Sequence, residues 1–145
     1  MLTPGRIASV SGRDVRALAY GRPAIAVAFA MAAQLEAAIM REWFLNVASR
    51  AAPERIAHLL CELAYRLHGH DRPTADVFRL PLTQEQIGVA LGITSVHVNR
   101  SMRRLQGEGW VQRASRGVHV VDVPALRIFS GFDEAYLQPD RQQLA

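Results

Sequence analysis

A chain of 145 residues is long enough to bury the core of one domain with an appendage. Half of its residues are hydrophobic, which excludes a disordered tail, and its single cysteine, Cys61, excludes a disulfide framework and a cysteine-built zinc or iron–sulfur site. The formal net charge is +4 and all 17 basic residues are arginine, so every basic side chain is capable of a planar, two-pronged contact to phosphate or guanine.

Residues 1–23 hold Pro4, Gly5, Gly12, Gly21 and Pro23, with short extended segments predicted between them at Arg6–Val10 and Val15–Tyr20. So small a piece makes no core of its own and reads as the end of a domain whose start is missing. No secretory signal pattern is visible, and with one thiol a reducing, cytoplasmic setting is expected.

From Ala24 to about Arg50 there is neither Gly nor Pro, and Ala, Leu, Met and Glu dominate. These are strong helix formers, and they predict one helix about 40 Å long. Val27, Met31, Leu35, Ala38, Ile39 and Trp43 recur at helical spacing. Apolar side chains cover more of the girth than a lone helix can bury, so a partner is implied. A two-fold dimer is the expected use, with a monomer's core helix as the competing reading. The apolar run Ala24–Ala33 stops at Gln34 and Glu36, short of a bilayer span, so no membrane association is expected.

Pro53 and Glu54 open a second helix with Ile56, Leu59, Leu60, Leu63, Ala64 and Leu67 on its inner stripe, ended by Gly69. Residues 69–76 read as a polar loop and Val77–Leu80 as a short strand. Thr83 and Gln86 then have capping-box spacing before a short helix whose Ile87 and Leu91 face inward. Gly88 permits close approach of another short helix, Gly92 supplies the left-handed turn, Ile93 fills the gap, and Thr94 or Ser95 caps that next helix.

On the helix after the turn, Val98, Met102 and Leu105 form the buried row. Two outward rows remain, His97, Arg100 and Arg104, and Val96, Asn99 and Arg103. Two short helices joined by a glycine turn, the second bearing polar and basic side chains outward, are the layout that docks a helix in the major groove of double-stranded DNA. Ser95, Val96, His97, Asn99 and Arg100 are placed for base edges, with Arg100 suited to guanine O6 and N7. Thr83, Thr94, Arg103 and Arg104 are placed for phosphates. Trp110–Arg113 and Val118–Val121 flank a turn and predict a hairpin whose Arg113, Ser115 and Arg116 would contact the backbone as a wing. Asp122 to Phe129 predicts a short closing helix. The fold class expected is mainly α with small β-hairpins, a long dimerisation helix leading into a winged helix-turn-helix.

The stretch TQEQIGVALGITSVHVNRSMRRLQGEGWV, with ERIAHLLCEL before it and GVHVVD after it, resembles the Crp/Fnr family of bacterial transcription regulators. The resemblance implies a homodimer joined through the long helix, an inverted-repeat operator, and base contacts at Ser95, Val96, Asn99 and Arg100. RNA polymerase is the further partner it implies. It divides the chain into residues 1–23, a remnant of an N-terminal effector β-roll; 24–50, the dimerisation helix; 51–137, the winged helix-turn-helix; and 138–145, a tail. Val96 departs from the family, where many members have a Glu that accepts from cytosine; valine offers only a contact to the thymine methyl. Ser101 is more polar than the family's usual residue. No phosphate-binding cassette or cysteine cluster is present, so neither a cofactor nor cyclic-nucleotide binding is expected.

Other features carry less. His68 and His70 have no carboxylate or cysteine to complete a ligand set. His58 reads as a packed or half-exposed side chain, and Cys61 as a small buried hydrophobe. No nucleophile–base order, P-loop or dinucleotide fingerprint occurs, which argues against an enzyme. The alternative function is a protein-interaction module that pairs with a full-length regulator through the long helix without reading DNA.

Overall fold

The computed structural model describes residues 5–68, 78–114 and 117–137, and among these the side chains of His68, Phe78 and Arg113 are outside the description. The polar loop 69–76, Ser115, Arg116 and the tail 138–145 also lie outside it. The elements in order are α1 (Gly12–Gly21), α2 (Pro23–Ser49), α3 (Ala52–His68), β1 (Phe78–Leu80), α4 (Gln84–Leu91), α5 (Ser95–Gly107), β2 (Val111–Ala114), β3 (Gly117–Val120), α6 (Val123–Ser130) and a 3-10 turn, Glu134–Leu137. The chain divides into two compact units, residues 1–42 with 135–145, and Trp43–Glu134.

In the first unit, Val15–Tyr20 is helical, not extended as predicted. Ser11 caps α1 by accepting from the Asp14 backbone N–H, and Asp14 sits in the first turn where the helix dipole favours a negative charge. The cap and the Arg-Ala-Leu content outweigh the extended bias of Val15 and the flanking glycines. Arg6–Val10 forms no strand.

Helix α2 runs for 27 residues with no Gly or Pro inside it. By length and composition alone it could cross a membrane. The apolar character does not end at Gln34 as expected, because Leu35, Ala37–Met40, Phe44, Leu45 and Val47 carry it on. Along the predicted interface stripe Val27 is exposed, Met31, Leu35, Ala38 and Trp43 are partly covered within their own chain, and Ile39 is buried. Phe29, Met40, Phe44 and Val47 are exposed as well, and they fall on one side of α2. The physical reason is drift: steps of four residues overshoot the turn of 3.6, so a row beginning at Val27 has rotated well round the helix by Trp43.

The second unit is built around α3, which packs against α4, α5 and α6. Its middle, Ile56 to Glu62, is buried on every side. Leu67 is exposed, beyond the reach of those neighbours, so the predicted stripe ends at Ala64. His58 is fully buried, its ring 5.2 Å from that of Phe132 in an edge-to-face arrangement. The Cys61 thiol is buried as expected, and burial pushes its pKa up to about 12. Trp43 at the end of α2 donates its indole N–H to Glu62 Oε2 at 2.9 Å, and Arg66 takes the other carboxylate oxygen at 2.7 Å. Arg50 follows α2 and donates to the Ser130 carbonyl at 2.9 Å.

The sheet has the antiparallel order β1-β3-β2, with Val111 opposite Val120 and Leu80 opposite Val118. Leu80, Val111, Val118 and Val120 are buried on its inner face. Gly117 opens β3 at φ +119, and a Cβ there would lie 2.0 Å from the Leu80 carbonyl oxygen. Only glycine lets β3 lie this close to β1.

Candidate nucleic-acid interface

Thr83 caps α4 in a complete capping box: its hydroxyl accepts from the Gln86 N–H at 3.1 Å, and its own N–H donates to Gln86 Oε1 at 2.8 Å. Gly92 closes α4 in the left-handed conformation, φ 63 and ψ 33. The turn brings Ile93 N–H onto the Gly88 carbonyl at 3.0 Å, and Thr94 caps α5 through the His97 N–H. At Gly88 a Cβ would stand 2.8 Å from the Ile93 carbonyl oxygen and 3.4 Å from Val98 Cγ2. A backbone oxygen cannot swing aside as a side-chain tip can, so a hydrogen at this position sets how close α5 comes to α4.

Val98, Ser101, Met102 and Leu105 of α5 are buried. Ser101 therefore sits on the inner side of the helix despite its hydroxyl. The outer side belongs to Val96, His97, Arg100, Arg103 and Arg104, all exposed, with Asn99 half-buried at the edge nearest α4. Arg100 lies near the centre of this face, opposite the buried row. Among the described residues no carboxylate pairs with Arg100, Arg103 or Arg104. Three permanently charged guanidiniums thus lie exposed on barely more than one turn of helix.

Ser95, Val96, Asn99, Arg100 and Arg103 line one groove of about 570 Å³ with Gln84. Asn99 Nδ2 donates to Gln84 Oε1 at 3.3 Å, tying the first residue of α4 to the middle of α5. Sequence reading did not single out Gln84, since no local pattern joins residues so far apart in the chain. His97 and Arg104 lie on the other flank of Arg100, outside the groove. Arg104 stacks its guanidinium over Phe129 at 5.2 Å, a contact that leaves the in-plane N–H groups pointing outward. Thr83 and Thr94 are exposed at the two helix starts, although Glu85 places a negative charge in the first turn of α4. At the wing, Arg113 is paired through its backbone with Val118, while Ser115 and Arg116 are outside the described residues.

Residues 54–129, just over half of the chain, match the Crp-like helix-turn-helix domain. The chain belongs to the Crp/Fnr family of transcription regulators. As a Crp/Fnr chain it is 38% identical over 82 residues to a probable transcriptional activator of Rhizobium leguminosarum, covering 54% of this chain and 32% of that protein. It is 35% identical over 104 residues to the transcriptional activator protein FnrL of Cereibacter sphaeroides, covering 69% of this chain and 41% of that protein. The Crp/Fnr chain thus spans well under half the length of these relatives. Among solved structures, FixK2 from Bradyrhizobium japonicum shares the fold with a TM-score of 0.70 at 23% identity, over 86% of this chain and 61% of that one. CooA of Carboxydothermus hydrogenoformans shares it with a TM-score of 0.68 at 20% identity, over 81% of this chain and 54% of that one. The Rhizobium and Cereibacter relatives are transcriptional activators by name, and the family is one of transcription regulators, not of enzymes.

Proposed function

We propose that this chain is a sequence-specific regulator that binds double-stranded DNA as a homodimer on an inverted repeat, in the cytoplasm. The carrying observation is the outward face of α5: Arg100 at its centre, unpaired among the described residues, on a helix whose reverse side is locked into the core. Ser95, Val96, Asn99 and Arg100 take the base edges, with His97 at their flank. Arg103, Arg104, Arg113, Ser115, Arg116, Thr83 and Thr94 take phosphates, which fix orientation without reading sequence.

The two-fold partner is assigned to the strip Phe29, Met40, Phe44 and Val47 of α2, exposed by 49%, 68%, 73% and 41% in the single chain. Isolated helices do not leave four such side chains in water at helical spacing without a partner. Glu36 falls on the same side of α2, one heptad after Phe29, and Arg41 lies to one flank of it, and in a bilayer centre each such charge costs about 2.5–3.5 kcal/mol or more.

The test is selection from a random duplex library by the purified chain, repeated at two salt concentrations. Enrichment of an inverted repeat is expected, with affinity falling steeply as salt rises because each neutralised phosphate contributes about 0.9 to the log–log slope. Arg100→Ala should cost about 1–3 kcal/mol on the selected site while leaving the melting curve unchanged. Phe44→Glu should leave a monomer by light scattering and weaken operator binding. A wild-type chain that enriches no sequence, or that pairs with a full-length relative yet retains no duplex, would overturn the reading in favour of the interaction module. Co-sedimentation with phospholipid vesicles instead of dimerisation would overturn the assignment of α2.

A further inference from the structure

Val96, Asn99 and Arg100 share one groove but offer three different chemistries. Arg100 carries donors only, Asn99 a donor beside an acceptor, and Val96 methyl groups with neither. Asparagine in the middle of a helix and valine on its wet face are both weak helix choices, so neither is there for the helix's sake. Val96 is 64% exposed, and it stands one turn before Arg100. Val96 and Asn99, three apart, place their Cβ atoms about 5–6 Å from each other.

Asn99 differs from its neighbours in being held. Its Nδ2 donates to Gln84 Oε1 at 3.3 Å, and both side chains are half-buried. A primary amide has two N–H groups. One is taken by Gln84, which leaves the second N–H and the Oδ1 acceptor for another partner. That pair, one donor next to one acceptor, complements the N7 acceptor and N6 donor of adenine, whereas the guanine edge presents two acceptors. The thymine C5 methyl is the apolar feature of the major groove that Val96 can touch. Holding the amide before DNA arrives also removes part of the rotamer entropy that binding would otherwise cost.

We infer that Gln84 is a positioning residue for base selectivity: it holds the Asn99 amide so that, with Val96, it selects A·T pairs beside the guanine taken by Arg100. This rests on the DNA-reading assignment above, and the experiment separates the two.

The probe is the duplex enriched from the random library, made also with 7-deazaadenine, which lacks only N7, and with deoxyuridine for thymine, which lacks only the methyl. Wild type should bind the 7-deazaadenine duplex about 2- to 13-fold more weakly, the range of one hydrogen bond lost from the two-pronged contact, and the deoxyuridine duplex several-fold more weakly. The deoxyuridine penalty should vanish in Val96→Ala, and the deazaadenine penalty in Asn99→Ala. Gln84→Met, which lacks the acceptor, should lose most of the deazaadenine penalty with its melting temperature and binding to unrelated duplex unchanged. Gln84→Glu, which keeps an acceptor, should retain the penalty even though its overall affinity falls. Equal binding of natural and substituted duplexes by wild type, an enriched site with G·C on both sides of the guanine, or an undiminished penalty in Gln84→Met overturns the inference and leaves DNA reading standing. Failure to enrich any sequence removes the underlying assignment instead.

Discussion

Replacing Gly88 by alanine should reverse the usual sign of a helical Gly→Ala change. In an unobstructed helix the substitution gains up to about 1 kcal/mol, because alanine loses less backbone entropy on folding. Gly107, at the end of α5, is such a site, since nothing lies within 4 Å of a Cβ there. At Gly88 the new methyl would stand 2.8 Å from the Ile93 carbonyl oxygen and 3.4 Å from Val98 Cγ2. Relief requires α5 to move away from α4, stretching the 3.0 Å bond from Ile93 N–H to the Gly88 carbonyl. Overpacking of this kind costs about 1–3 kcal/mol. Set against the propensity gain, a net loss of up to about 2 kcal/mol remains for Gly88→Ala, against a gain of up to about 1 kcal/mol for Gly107→Ala. For a unit the size of Trp43–Glu134 the loss corresponds to a Tm lowered by up to roughly 15 °C. Thermal melts by circular dichroism at one fixed protein concentration measure it, since the Tm of a dimer depends on concentration. A Gly88→Ala protein that melts at or above wild type would refute the idea that this contact sets the helix spacing. A protein that melts low but binds its selected duplex as tightly as wild type would show that the spacing does not matter for recognition.

Three further outcomes are expected. Gly117→Ala should be worse than Gly88→Ala, because φ is +119 and the Cβ would fall 2.0 Å from the Leu80 oxygen; loss of the cooperative melt is the expected result, and a near-native melt would contradict the packing of β3 on β1. Trp43→Phe removes the indole donor to Glu62, whose side chain is 4% exposed, and should cost about 1–3 kcal/mol by urea titration; in a Glu62→Ala background the same change should cost much less, and equal costs in both backgrounds would deny the coupling. The Cys61 thiol is raised from 9.0 to about 12 by burial, so the folded state binds its proton more tightly than the unfolded chain. Stability from this group is complete below pH 9 and is lost as pH rises from 9 towards 12, by about 1.4 kcal/mol per unit. Urea titrations at pH 8 and 10.5 should show a steeper loss in wild type than in Cys61→Ala, and parallel losses would contradict it.

The α4–turn–α5 unit was legible because its determinants are local. A capping box, a left-handed glycine and a row at Val98, Met102 and Leu105 each act within one or two turns, and the structure forms them where the sequence places them. Arg100 and its neighbours follow from the same periodicity. The hairpin was legible too, although β2 and β3 begin and end a residue or so away from the predicted limits. The α1 segment was misread because a serine cap and scattered glycines pull in opposite directions over so short a stretch.

What the sequence alone settled, then, is the identity of the short elements and the outward chemistry of α5, because hydrogen bonds and side-chain rows a few residues apart decide them. It could not say which side of α2 stays open. Almost every side of that helix is apolar, so periodicity has no contrast to read, and only the fold shows Ile39 covered while Met40 and Phe44 are left in water. Nor could it join Gln84 to Asn99 or set Leu80 against Gly117. Those contacts exist only once distant segments have docked, and docking is a property of the packed core rather than of any stretch of chain.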